Sequence, residues 1–282
     1  MKDLPIGFID SGFGGLTVVK QSLKQLPNES IIFLGDSARA PYGPKPLEEV
    51  QKYITQMSDF LIKKGIKMLV IACNTGTAAA LDVLRNHLEV PVVGVIHAGS
   101  RSAIKQSQNG CIGVIATQGT IDSGLYERVL KAKSSHVELH SKAVPEFVTI
   151  VEEGRIKEEA TLQIVNDSLN EFVDKDVDTL VLGCTHYPHL SSIIQEVLTN
   201  SVTLIDSGAE TINEVSALLD YFKLSRSSKD VNRLQPTQTY YTTGNTEKFA
   251  DYAREWLHQE DIQILQAEIK GDEIIETINS ES

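Results

Sequence analysis

Two of the three cysteines in the chain stand in matching sequence contexts. Cys73 closes the apolar run VIAC and Cys184 closes the run VLGC, and each is followed by polar side chains and then by a segment of helical pattern. The unpaired amides and positive dipole end of a helix lower the pKa of a neighbouring thiol from about 8.5 and attract carboxylates. Cys73 and Cys184 are therefore predicted to act as a paired acid and base. Cys111 opens a strand among apolar neighbours and is predicted to be a core residue.

Polar residues at other predicted strand ends are candidates for binding a small charged molecule. Asp10 and Ser11 begin the glycine-rich loop DSGFGG, which matches neither of the common phosphate-binding patterns. Asp10 suits a substrate ammonium group, although an aspartate here is also a common helix N-cap. Tyr42 and Gly43 lie in a Pro-Tyr-Gly-Pro turn, where backbone amides and a phenol either meet a ligand or only form the turn.

His186 and Glu152 each have a catalytic and a structural interpretation. His186 either polarises the Cys184 thiol or hydrogen-bonds to backbone, and Glu152 in a helical segment is ordinarily a solvated residue. Cys184, His186 and His189 cluster within six residues, but their spacing lacks the second ligand pair of a zinc motif. No metal site is predicted, and no redox disulfide either, since a C-x-x-C motif is absent from the sequence.

These residues require a framework of strands that end at one edge. Short β-branched runs ending at Gly, Asp, Cys or Asn alternate with longer segments of helical period, which predicts an α/β fold of mainly parallel sheets flanked by helices. Apolar stripes predict core-facing helices at 47–61 and 162–172, and a further helix is predicted at 247–257. The predicted strands are residues 6–9, 31–34, 68–72, 92–96, 111–115, 137–140, 179–182, 203–205 and 239–243.

The two halves of the chain share a pattern of strand ends. IGFIDSG near residue 6 matches IGVIATQ near residue 112, and VIACNT matches VLGCTH. The separation from Asp10 to Cys73 is 63 positions, and that from Ala116 to Cys184 is 68. Ligands bind beyond the carboxyl ends of parallel strands, so two similar halves facing each other across a cleft would bring the two thiols in from opposite sides. Inversion of a stereocentre requires this arrangement.

Length and charge limit the classes of function. A chain of 282 residues predicts two domains of similar size. The net charge of −12 argues against nucleic acid as the main partner. The first residues lack the apolar region of a signal peptide, and no apolar run approaches the length of a membrane span. A cytoplasmic protein without a membrane partner is expected.

Six segments together resemble the glutamate racemases of the aspartate/glutamate racemase superfamily in order and spacing: FIDSGFGGLTV, GDSARAPYG, IACNTGTAAAL, IATQGTI, FVTIVEEG and GCTHYPHL. The resemblance covers about residues 6 to 260. It implies two similar α/β domains, related by a pseudo-twofold axis, with the active site in the cleft between them. The implied division is residues 1–97 plus 208–265, residues 98–207, and an acidic tail at 266–282.

The resemblance also implies an activity and a set of site residues. The activity is conversion of L-glutamate to D-glutamate for peptidoglycan synthesis, without a cofactor, in an enzyme that is a homodimer. Cys73 and Cys184 are the implied catalytic thiols, assisted by Asp10, Glu152 and His186. The implied substrate contacts are Asp10, Ser11, Tyr42, Gly43, Asn74, Thr75, Thr117, Thr185 and His186.

The chain departs from the family pattern at a few positions. Val144 and Thr149 flank the Glu152 segment, where the family often has Cys and Pro, and this affects the expected placement of Glu152. The other departures are Gly76, His97 and His189. Two alternatives remain open: a racemase of aspartate or another acidic amino acid, and a non-catalytic binding module on the same fold.

Overall fold

The structure, a computed structural model, describes residues 1–198 and 201–277. The strands are β1 (Ile6–Asp10), β2 (Ile31–Gly35), β3 (Met68–Ile71), β4 (Val92–Gly94), β5 (Cys111–Ala116), β6 (Glu138–Ala143), β7 (Thr179–Gly183), β8 (Thr203–Asp206), β9 (Gln238–Thr242), β10 (Ile264–Lys270) and β11 (Glu273–Glu276). The helices are α1 (Leu16–Gln25), α2 (Leu47–Lys64), α3 (Asn74–His87), α4 (Val95–Gln106), α5 (Gln118–Asp122), α6 (Leu125–Lys133), α7 (Glu146–Glu152), α8 (Glu159–Asp174), α9 (Ser191–Leu198), α10 (Ser207–Tyr221), α11 (Ser228–Arg233) and α12 (Thr246–Leu257). None of the helices in the described ranges is long and apolar enough to cross a membrane.

The strands form two sheets, and the predicted α/β fold of mostly parallel sheets is confirmed. The first sheet has the order β11-β10-β9-β2-β1-β3-β4, and the second has the order β6-β5-β7-β8. Every strand pair is parallel except β10 with β11. The order β2-β1-β3-β4 in the first sheet recurs as β6-β5-β7-β8 in the second, so β3 and β7 occupy equivalent places. Cys73 and Cys184 follow these two strands.

The fourth strand ends earlier than its β-branched sequence predicts. We expected a strand over 92–96, but β4 stops at Gly94 and α4 begins at Val95. The Val95 amide donates to the Thr77 hydroxyl at 3.3 Å, a contact that replaces the next hydrogen bond of the strand ladder. Local β propensity is overridden here by a partner from α3.

The predicted acidic tail at 266–282 is wrong for residues 266–276. Ile264–Lys270 and Glu273–Glu276 form an antiparallel pair that adds two strands to the first sheet. Polar and apolar side chains alternate from Leu265 to Lys270 in β10, and Ala267 and Ile274 are buried against α2 and its neighbours. An acidic composition therefore concealed a period of two, which is typical of a strand with one solvated face. Residues 278–282 of this predicted tail lie outside the described residues.

The helices that connect the two sheets lie at the predicted domain boundaries. α4 joins β4 of the first sheet to β5 of the second, and α10 follows β8 before the chain returns to β9. The predicted divisions after residues 97 and 207 fall in the first turns of these two helices. The exact domain division remains a prediction.

The predicted apolar stripes face the core except in the first turn of each helix, where Leu47 of α2 is only half-buried. Val50, Ile54, Met57 and Leu61 of α2 are buried, as are the later members of the α8 stripe. Leu162 was predicted to join them, but its side chain is 39% exposed in the first turn of α8. In α8 the buried apolar stripe begins about one turn later, at Val165.

Candidate active site

The carboxyl ends of β3 and β7 place two thiols on one small cavity. Cys73 is the N-cap of α3, where its Sγ accepts the Gly76 amide at 3.3 Å, and Cys184 follows β7 directly. Both are almost fully buried. The cavity has a volume of about 30 Å³, room for about one water molecule. Its lining is Ser11, Gly12, Ala40, Pro41, Tyr42, Gly43, Cys73, Asn74, Thr75, Thr117, Val148, Glu152, Gly183, Cys184, Thr185 and His186.

Eleven of the twelve site residues proposed from the sequence line this cavity, and Asp10 lies behind it. The sequence reasoning missed Gly12, Ala40, Pro41, Val148 and Gly183. All five belong to the segments quoted for the resemblance, FIDSGFGGLTV, GDSARAPYG, FVTIVEEG and GCTHYPHL, where they are close to selected residues. Val148 lies on α7 and was not selected, because a valine in a helical stripe usually packs in a core.

Asp10 is the charged group beside Cys73. It is fully buried at the end of β1, its Oδ2 accepts the Gly12 amide at 3.0 Å, and its Oδ1 has no hydrogen-bond partner among the described residues. Burial raises the pKa of the Asp10 carboxyl, and the charge of His186 opposes this rise. The structure therefore holds an unsatisfied carboxylate oxygen next to the cavity, which is costly unless a ligand or a proton meets it.

The environment of Cys73 differs from the expectation for a thiol at a helix start. Burial and the charge of Asp10 raise the pKa of Cys73 to about 12, although hydrogen bonds from Gly76 and Ser11 act in the opposite direction. The desolvation of the thiolate therefore outweighs the helix N-terminus. The expected lowering of this pKa was wrong, because the sequence does not show how deeply the sulfur is buried.

Cys184 has a cationic neighbour instead of an anionic one. His186 Nδ1 lies 3.8 Å from Cys184 Sγ, and His186 Nε2 lies 3.0 Å from Glu152 Oε1. Burial lowers the pKa of His186, but the contacts with Cys184 and Glu152 outweigh it and hold that pKa well above its usual range. A protonated imidazole at this distance favours negative charge on the Cys184 sulfur. The Glu152 side chain is 33% exposed, so the contacts that run from Cys184 through His186 to Glu152 end at the protein surface.

The turn at Tyr42 and Gly43 lines the cavity, and the Tyr42 phenol is bound to another side chain. The Tyr42 hydroxyl donates to Asp36, which also pairs with Arg39 at 2.6 Å and accepts from the Thr243 hydroxyl at 2.7 Å. A phenol engaged with a buried carboxylate is not available to a substrate. The sequence left this open; in the structure the phenol is engaged with Asp36, and both Tyr42 and Gly43 line the cavity. Asp36 is a supporting residue that the sequence analysis did not single out.

Hydroxyl and amide groups from the two halves of the chain meet beside the cavity. Thr75 Oγ1 lies 3.0 Å from the hydroxyls of both Thr117 and Thr120. The Tyr126 hydroxyl donates to Asn74 Oδ1 at 2.8 Å, which leaves Asn74 Nδ2 buried without a hydrogen-bond partner among the described residues. We call these contacts, together with the Gly119 amide donating to the Gly43 carbonyl at 2.9 Å, the seam. The seam offers an unpaired amide donor close to where an anionic group would sit.

The second histidine of the GCTHYPHL segment does not reach the thiols. The His189 ring packs on Trp256, with centroids 4.2 Å apart. Within the described ranges, the Cys, His, Asp and Glu atoms close enough to share one metal ion are those of Cys111, Glu138 and His140, outside this cavity.

The arrangement is that of a two-base site. Two thiols come from equivalent strands, one beside a carboxylate and the other beside an imidazole, on one small cavity. Such a pair can remove a proton from one face of a carbon and return a proton to the other.

Comparison with known proteins gives concordant matches. The model of the family described as Asp/Glu/Hydantoin racemase matches residues 6–215. The chain is 50% identical over 270 residues to the glutamate racemase of Enterococcus faecalis, with 95% of this chain and 97% of the relative covered.

Two solved structures are similar over nearly the whole chain. A glutamate racemase of Bacillus anthracis has a TM-score of 0.90 and 41% identity, covering 97% of this chain and 100% of that chain. A glutamate racemase of Francisella tularensis, solved in complex with D-glutamate, has a TM-score of 0.87 and 36% identity, covering 94% and 98%.

Proposed function

The chain belongs to the Asp/Glu/Hydantoin racemase family, and from this we infer that it interconverts L-glutamate and D-glutamate with Cys73 and Cys184 as acid and base. It is an amino-acid racemase, an isomerase. One observation carries the assignment of the two thiols. They follow equivalent strands of two sheets with the same strand order, and both face one cavity.

In the proposed reaction, one thiolate removes the α-proton of glutamate. The electron pair of the broken C–H bond remains on the substrate as a carbanion that is delocalised into the α-carboxylate. The opposite thiol then donates its proton to the other face of the α-carbon. At the end the first cysteine is a thiol and the second a thiolate, so the enzyme is poised for the reverse direction.

Each thiol has a neighbour that can accept its proton. Asp10 is suited to take the proton of Cys73. Burial raises the pKa of the Asp10 carboxyl, which reduces the difference between that pKa and the raised pKa of the Cys73 thiol. His186 is suited to exchange a proton with Cys184, and Glu152 fixes the ring by its contact with Nε2. Asp10, His186 and Glu152 are thereby proposed as assisting residues.

The proposed substrate contacts complement an amino acid with a second carboxylate. The unpaired Asn74 Nδ2 and the backbone of Tyr42 and Gly43 are suited to carboxylate oxygens, and the free Asp10 oxygen is suited to the ammonium group. The remaining proposed contacts are Ser11, Thr75, Thr117, Thr185 and His186. Fixed dipoles in a water-excluded site stabilise the charge that develops on the carboxylate.

Incubation with L-glutamate in deuterated buffer, without added cofactor, tests the proposal. Loss of optical rotation together with deuterium at the α-carbon of the product is expected. The same measurement with L-aspartate tests the alternative of another acidic amino acid. Exchange with neither substrate would overturn the activity and favour a binding module on the same fold.

The three cysteines provide a matched set of variants. Cys73→Ala and Cys184→Ala are each expected to lose at least about 10³-fold in kcat/KM, since each removes one of the two proton carriers. Cys111→Ala serves as the control, because Cys111 lies outside the cavity. Near-full racemisation by either active-site variant would rule out the two-thiol scheme.

We also propose a setting for this activity. The product D-glutamate would serve peptidoglycan synthesis in the cytoplasm, and the enzyme would act as a homodimer with no nucleic-acid or membrane partner. Sedimentation equilibrium of the purified chain measures the assembly state, and a monomer at all concentrations would contradict the homodimer.

A further inference from the structure

A second cluster of reactive side chains lies at the opposite end of the second sheet. Cys111 and Glu138 are the first residues of β5 and β6 and are direct partners in the strand register. His140 is two residues beyond Glu138 and therefore points to the same face. The proposed active site is at the carboxyl ends of these strands, so a six-residue strand of about 20 Å separates the two locations.

The ligand-bearing atoms of the cluster converge. Sγ of Cys111, a carboxylate oxygen of Glu138 and a ring nitrogen of His140 all lie within 4.8 Å of one another, and His140 Nε2 is 3.0 Å from Glu138 Oε1. Around one tetrahedral zinc ion, with bonds of about 2.0–2.3 Å, ligand atoms are about 3.5 Å apart. Each of the three separations is at most 4.8 Å, and the Glu138 side chain is 71% exposed, so it can adjust to reach the zinc spacing.

We propose that Cys111, Glu138 and His140 form a binding site for a zinc ion between β5 and β6. Thiolate, imidazole and carboxylate are the three protein ligands that zinc takes most often, and this mixture disfavours magnesium and calcium. Binding replaces the thiol proton of Cys111, which is released to solvent. The fourth coordination position faces solvent and is filled by water.

The surroundings of the cluster favour a cation. The carboxylates of Glu138, Asp176 and Asp178 all lie close enough to act on Cys111, against the single ammonium of Lys175. Cys111 Sγ is also 3.0 Å from the Lys175 carbonyl oxygen. A buried sulfur thus borders a locally acidic surface, whereas an ordinary core cysteine is enclosed by apolar groups on all sides.

A bound ion would join an edge strand to its neighbour. β6 is the edge of the second sheet, and its pairing with β5 is its only strand contact among the described residues. A ligand that binds the folded chain and not the unfolded chain stabilises the fold by mass action. We therefore expect the unfolding temperature to rise with zinc concentration, with no requirement for zinc in racemisation.

Titration with Co²⁺, followed by absorbance, tests the site, because a cobalt–thiolate bond gives a charge-transfer band in the near ultraviolet. The band is lost when zinc replaces cobalt. The metal-free wild type is expected to bind one Co²⁺ with this band. Cys111→Ser should abolish the band, and His140→Ala should weaken the affinity at least tenfold. His136→Ala is the matched control, since His136 precedes the same strand and lies outside the cluster.

The variants also separate this site from the two active-site thiols. A band that persists in Cys111→Ser would come from Cys73 or Cys184 and would overturn the proposal. Absence of a band in the wild type, or equal affinity in His140→Ala and wild type, would do so too. Circular dichroism confirms folding. If Cys111→Ser does not fold, Glu138→Gln is titrated instead: it retains the thiolate band, and at least a tenfold weaker Co²⁺ affinity is expected, whereas wild-type affinity would overturn the proposal.

Discussion

The Cys73 side and the Cys184 side of the cavity share a strand position and differ in charge. Cys73 has the buried carboxylate of Asp10 as its neighbour, whereas Cys184 has the imidazole of His186. A nearby anion disfavours a thiolate, and a nearby cation favours one. Equivalent positions in two similar sheets thus acquire neighbours of opposite charge. The difference teaches that residues beside two alike cysteines can give the two sides of one cavity different electrostatic surroundings.

Thermodynamics restricts how this asymmetry can be observed. Two enantiomers in water have an equilibrium constant of unity, so any variant must lose kcat/KM equally in both directions. A difference between the two sides can therefore appear in kcat and KM taken separately, and in their pH dependence. The following predictions use these quantities.

Asp10→Asn is expected to have the largest effect of the substitutions around the thiols. An amide cannot accept the Cys73 proton and cannot pair with the substrate ammonium, so kcat/KM should fall by about 10³-fold. Steady-state polarimetry in both directions measures the loss. Asp206→Asn is the control, since Asp206 also ends a strand, β8, but caps α10 and does not line the cavity. Retention of activity within a few-fold in Asp10→Asn would remove Asp10 from the mechanism.

His186→Asn is expected to reduce kcat/KM by about 10²-fold, because the cation beside Cys184 is lost. The loss of kcat should be unequal in the two directions, since only one thiol has lost its partner. His189→Asn is the matched control, because His189 packs on Trp256 and does not contact a thiol. Equal losses of kcat in both directions would show that His186 does not distinguish the two sides.

Glu152→Gln is expected to have a smaller effect, about tenfold on kcat. The contact with Glu152 raises the pKa of His186, so its removal lowers that pKa. The protonated imidazole is then lost at a lower pH, and the basic limb of the kcat profile should move towards neutrality. An unchanged basic limb would mean that the titration of His186 does not control the rate.

His189→Leu is expected to affect stability alone. Burial lowers the pKa of His189 from 6.5 to about 4, so the unfolded chain binds this proton more readily than the folded chain. The contribution is present above pH 6.5 and is lost as the pH falls towards 4. Each tenfold difference in proton affinity is worth about 1.4 kcal/mol. Between pH 7 and pH 4, the free energy of unfolding should therefore fall by about 3 kcal/mol more in the wild type than in the variant. Urea unfolding of both proteins at pH 7 and pH 4 checks the difference, and parallel losses would contradict it.

The sequence was sufficient for the features that depend on local pattern. Apolar runs that end in polar residues located the strands, and the repeated context of Cys73 and Cys184 placed both thiols at equivalent strand ends. The seam was only partly foreseen: Thr75 and Thr117 were selected, but Thr120 was not, because its role depends on a partner from the other sheet.

Properties set by three-dimensional burial could not be predicted. The pKa of Cys73 rises although the sulfur caps a helix, because desolvation and Asp10 act more strongly than the helix end. The Tyr42 phenol pairs with Asp36 in the folded chain, and nothing in a Pro-Tyr-Gly turn indicates that partner. The strands β10 and β11 were concealed by their acidic composition.

The cavity of about 30 Å³ is smaller than glutamate, so the described state is a closed one that the substrate cannot occupy without rearrangement. The seam is one of several contacts between the two halves: the Thr17 hydroxyl also donates to the Thr185 carbonyl at 3.1 Å, and one apolar core includes residues of both sheets. Opening the cavity therefore requires more than breaking the seam. Substrate would bind to a minor, more open population, and the observed affinity would be weaker than the intrinsic affinity of the open cavity by the fraction of molecules in that population.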